Sequence, residues 1–115
     1  MSANRVVITG VGAFSACGAG ADTLWRAARD GKSGVKETLF DRIPQQKVTL
    51  AAGISAEFLE QHAVHVRPRM QDRVAKFALI AADEAVQQSG MQASDFDDDV
   101  GVIVGSGFGG AQTLD

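Results

Sequence analysis

The chain has 115 residues, 45% of them hydrophobic and 22% charged, with a formal net charge of -3. That length allows about one small domain, the composition is that of an ordered globular protein, and the mild acidity leaves no electrostatic footprint for nucleic acid or anionic lipid. No apolar run approaches the roughly 20 residues of a membrane helix, Thr9 and Gly10 cut short the run Val6–Ile8 that a signal peptide would need to extend, and a single cysteine permits no internal disulfide, so the expected setting is cytoplasmic.

Val6, Val7 and Ile8 are consecutive β-branched residues. Without alternation they predict a strand buried on both faces, as in a parallel sheet. A glycine-rich turn follows. Asp22 is the expected cap of a helix from about Thr23, which sets Leu24, Trp25 and Ala28 on one side. Gly31 is its expected stop, with Gly34 in the turn "DGKSG". Residues 35–46 are polar, contain Pro44 and read as loop. "KVTLAAG" (47–53) reads as a short strand, and Ser55 as the cap of a short helix through about His62.

Pro68 introduces the longest predicted helix, from about Arg69 to Ser89, with Met70, Val74, Phe77, Ala78, Ala81 and Ala85 at helical spacing. Its middle, "FALIAA" (77–82), is apolar all round. It should be buried on most sides, and its alanines should let another backbone come close. Asp72 and Lys76 are spaced for a weak ion pair, and Gly90 ends the helix. "SDFDDD" (94–99) is a solvated acidic turn, "VGVIVG" (100–105) a second buried strand, and "SGFGGAQTLD" leaves it through another glycine turn into the start of a helix. The order β, α, loop, β, α, α, β predicts an α/β protein with a parallel sheet. Two strong strands and a weak one cannot cover both faces of a stable sheet. The expectation is therefore the first part of a larger domain.

Several residues invite a functional reading. Gly10 and Gly12 begin a dinucleotide-type fingerprint, but Ser15 stands at the third glycine position and no acidic residue ends a second strand at the required distance. Lys32 and Ser33 lack the glycines of a P-loop. The first glycine turn therefore reads as packing. Cys17 would be activated if it sat at a helix N-terminus beside a base, with His62 or His65 the available imidazoles; the plainer reading is a small half-buried residue. His62 and His65 have no clear third ligand for a metal. "GSGFGG" (105–110) is either a sharp strand-to-helix turn or a loop bringing backbone N–H groups to a ligand or another chain.

Taken together, three stretches resemble one family. "VVITGVGAFSACGAGADTLWRAARDGKSGV" is similar to the opening of the β-ketoacyl-acyl-carrier-protein synthases, condensing enzymes of thiolase-like fold. "RPRMQDRVAKFALIAADEAVQQSGM" resembles their long helix after an Arg-Met-Asp signature, here departing by Gln71 between Met70 and Asp72, and "VGVIVGSGFGG" resembles the strand and glycine loop that follow. The matches come in the family's order and are nearest to the long-chain elongating type II synthases. The resemblance implies that residues 1–115 are the N-terminal portion of a ketosynthase domain with a layered α/β/α fold, incomplete as an isolated chain, with no second domain here.

It also implies decarboxylative condensation of an acyl thioester with malonyl on acyl carrier protein, no cofactor, no metal, and a homodimer or heterodimer of ketosynthase-like chains. The family's nucleophilic cysteine and two histidines match no position here, so Cys17, His62 and His65 are not those residues, no catalytic residue is expected, and the segment alone should be inactive. Phe108, between Gly107 and Gly109, matches the position lining the far end of the acyl pocket near the dimer interface. A phenyl ring there implies a shortened or reshaped tunnel, or alternatively dimer-interface core. Some relatives have lost the cysteine and act as non-catalytic chain-length partners, the alternative that this stretch leaves open.

Overall fold

A computed structural model describes residues 4–38, 45–63, 72–96, 98–107 and 109–110. The first glycine turn folds into a hairpin. Strand β1 (Phe14–Ser15) pairs antiparallel with β2 (Gly18–Ala19), Phe14 opposite Ala19 and Ser15 opposite Gly18. Helix α1 (Ala21–Arg29) follows, and Gly31 leaves it with a φ of 66°, the left-handed conformation that suits glycine. Strand β3 (Lys36–Glu37) pairs antiparallel with β4 (Leu50–Ala51), so the expected strand within 47–53 is present and has a partner in the stretch read as loop. Helix α2 (Ala56–His62) begins at Ser55, as expected, and helix α3 (Arg73–Ser89) ends at Gly90, whose φ is 73°. A single 3-10 turn (Ala93–Asp95) opens the exposed acidic stretch.

At Ser55 the hydroxyl accepts from the Phe58 N–H at 3.1 Å, satisfying one of the amides that α2 leaves without an internal partner. Ser55→Ala is expected to weaken α2 by about 1 kcal/mol, read as faster amide exchange of the Phe58 N–H.

Strand β1 and helices α2 and α3 meet at an aromatic cluster. Phe14 of β1 stacks on Phe58 of α2 with centroids 5.4 Å apart and lies 5.8 Å from Phe77 of α3. Beside it Leu59 is the most deeply buried side chain among the described residues, and the Arg73 guanidinium lies over the Phe77 ring while donating to the Ile54 carbonyl at 2.5 Å. Lys76 of α3 pairs with Glu60 of α2 at 2.5 Å.

Four expectations need correction. Asp22 does not cap α1: the helix starts at Ala21, two residues before the expected Thr23, and Asp22 lies in its first turn, paired with Arg26. Asp72 does not pair with Lys76; it is the N-cap of α3, accepting from the Val74 N–H at 2.9 Å, which leaves Lys76 to reach across to Glu60. The middle of α3 is not buried on most sides, since none of its residues is fully buried and Leu79 is 39% exposed.

The fourth correction concerns the strands. Residues 5–8 and 101–104 belong to no ladder among the described residues, where the pairings are the two antiparallel ones. Val6 is 93% exposed and Ile103 98%. A pair of strands alone leaves both faces in water and is marginal at best, so segments that are apolar on both faces gain little from pairing only with each other. On α1 the side carrying Leu24 and Trp25 is likewise exposed, and it is Ala27 that is buried. No helix among the described residues is long and apolar enough to cross a membrane.

Candidate functional site: the first glycine turn and helix α3

Two glycines and one carboxylate define the contact between the N-terminal turn and α3. A Cβ built on Gly10 would lie 2.0 Å from the Ala85 carbonyl oxygen, and one on Gly12 would lie 1.9 Å from the Ala81 carbonyl oxygen. Only glycine permits that approach, because side-chain carbons never come so near a backbone oxygen. Ala81 and Ala85 lie four apart, one turn along the same face of α3. This bears out both the packing reading of the turn and the close approach expected of the alanines.

The turn's amides then find partners on α3. Glu84 accepts from the Ala13 N–H at 2.9 Å through Oε2, and from the Ala21 N–H at 2.9 and 3.2 Å through Oε1 and Oε2. Ala21 is the first residue of α1, so Glu84 does from another helix what a capping side chain does locally. Gly20, at the cap position, has no side chain to offer. The carboxylate also sits where the α1 dipole favours negative charge. Gln88, one turn further along α3, accepts from the Val11 N–H at 2.6 Å through Oε1. The amides of Val11, Ala13 and Ala21, which a phosphate would need, are thus held by the protein's own side chains.

Cys17 lies in the two-residue turn between β1 and β2, four residues before α1 rather than at its N-terminus. It is half-buried, its N–H donates to Ser15 Oγ at 3.2 Å, and Gly34 packs against the neighbouring Ala16. The His62 ring is engaged elsewhere: Nδ1 donates to the Phe58 carbonyl at 2.8 Å, and the ring lies against Phe58 and Phe14. His65 lies outside the described residues. Among the described residues no three His, Cys, Asp or Glu side chains converge as a metal site would require.

In the second glycine loop, Phe108 lies outside the described residues. Gly107 beside it is exposed, and nothing among the described residues lies within 4 Å of a Cβ built there. On the other side, a Cβ on Gly109 would come within 3.1 Å of Val74 Cγ1, so the loop returns over the first turn of α3. The sequence reading missed Glu84. Its only signal was a carboxylate amid the alanines of the long helix, a pattern equally suited to a solvated face.

Comparison with known proteins relates the chain to a family. Residues 3–115 match the family model described as "Beta-ketoacyl synthase, N-terminal domain". Over its whole length the chain is 39% identical to the "3-oxoacyl-[acyl-carrier-protein] synthase 2" of Staphylococcus aureus (strain N315), covering 28% of that protein. It is 34% identical to "Nodulation protein E" of Rhizobium meliloti (strain 1021), with 92% of the chain and 26% of that protein aligned. The chain thus spans little more than a quarter of the length of the curated relatives it matches. No solved structure matches.

Proposed function

Because the chain belongs to the β-ketoacyl synthase family, through that family's N-terminal domain, we propose that residues 1–115 are the N-terminal part of a ketosynthase domain that performs decarboxylative Claisen condensation. An acyl group is carried as a thioester on an active cysteine. A malonyl thioester on acyl carrier protein loses CO2, and the carbanion so formed attacks the acyl carbonyl. The carbon–sulfur bond to the cysteine breaks, the thiolate leaves, and a 3-oxoacyl thioester remains on the carrier protein. The cysteine and two assisting histidines act in nucleophilic and oxyanion-stabilising roles, at positions other than Cys17, His62 and His65.

The observation that carries this reading is the family match over residues 3–115, joined by identity to a relative named as a synthase. That name also favours a synthase over a non-catalytic chain-length partner. The amides held by Glu84 and Gln88 support it further by removing the nucleotide-binding rival.

In this reading residues 5–8 and 101–104 are strands of the sheet in a layered α/β/α fold, and their exposed apolar side chains are what further strands and helices cover. The enzyme works in the cytoplasm as a homodimer or heterodimer of ketosynthase-like chains and needs no cofactor. The full-length protein, given an acyl thioester and malonyl-acyl carrier protein, is expected to release CO2 and yield 3-oxoacyl-acyl carrier protein by mass spectrometry. The 115-residue chain alone should do neither. Condensation that begins only when a second ketosynthase chain is added would assign the chain-length role instead.

Phe108 is proposed as the side chain that closes the far end of the acyl tunnel, from its place inside "GSGFGG". Phe108→Gly in the full-length enzyme is expected to raise kcat/KM for longer acyl chains about tenfold over shorter ones, the scale on which apolar pocket contacts discriminate. An unchanged chain-length profile would mean that the ring lies outside the tunnel.

A further inference from the structure

We draw no further inference here: the strongest candidate, the pair of exposed apolar segments at residues 6–8 and 102–104, carries nothing beyond the sheet already proposed, because nothing in the structure shows what covers them.

Discussion

Replacing Gly12 with alanine is expected to destabilise the protein by about 3 kcal/mol, the upper end of what overfilling a packed site costs. The added Cβ would stand 1.9 Å from the Ala81 oxygen, 2.9 Å from its carbonyl carbon and 3.0 Å from the Ala85 nitrogen. All three are backbone atoms in the middle of α3. A crowded side chain could rotate away, but here relief requires moving the turn or opening the helical hydrogen-bond ladder. Gly10→Ala should behave alike, facing the Ala85 oxygen at 2.0 Å. Gly31→Ala is the comparison: nothing lies within 4 Å of its Cβ, and its cost is the left-handed conformation alone, about 1 kcal/mol. Denaturant midpoints of the three full-length variants provide the check. If Gly12→Ala costs no more than Gly31→Ala, the close approach to α3 is wrong.

The second large effect is expected at Glu84. Glu84→Ala removes the acceptor of the Ala13 and Ala21 N–H groups. Hydrogen bonds to a charged group contribute about 1.5–3 kcal/mol each, and a donor left without a partner adds a desolvation cost. Both sites are only partly buried, and water can recover some of that loss, which puts the expected total at about 3 kcal/mol. Glu84→Gln keeps one carbonyl oxygen and should lose about half as much. Amide exchange is the more specific readout: the Ala13 and Ala21 N–H groups should exchange faster in Glu84→Ala, while the Phe58 N–H at the Ser55 cap should not. Equal protection of Ala13 and Ala21 in both proteins would contradict the assignment. Because Gly12 and Glu84 join the same two elements, the double variant should lose less than the sum of the single ones.

These two positions also mark how far the sequence could be read. Local signals worked where the determinant lies within a few residues. Ser55 capped its helix, Gly90 and Gly31 ended theirs, and the alanines of α3 did admit a second backbone. The reading failed where a partner is distant in sequence. Asp22 had the chemistry of a cap, yet the Ala21 amide is satisfied by a carboxylate 63 residues away. Lys76 had a well-spaced partner in Asp72, which is used as a cap instead, and it turns to Glu60, 16 residues back. The segments at 6–8 and 102–104 read as buried strands, yet they are exposed and belong to no ladder among the described residues, because β-branched composition marks a surface that packs against neighbours and says nothing of which neighbour completes the ladder. At the second glycine loop only the order of residues is informative, and the role of Phe108 rests on the resemblance.

The bare segments at either end of the described chain have a consequence for synthesis. Translation runs at about 5–20 residues per second, and close to a hundred residues lie between Val6 and Val102. A nascent chain therefore presents its first apolar ribbon for on the order of ten seconds before the second has been made. Throughout that interval Val6, Val7 and Ile8 offer exposed apolar side chains of the kind that invite association between copies. The hairpin of β1 and β2 and helix α1 can form meanwhile, since their contacts are local, but the Glu84 clamp must wait until α3 has emerged. Residues 6–8 are thus open to association on the ribosome for at least that interval, in which a holding chaperone can bind them.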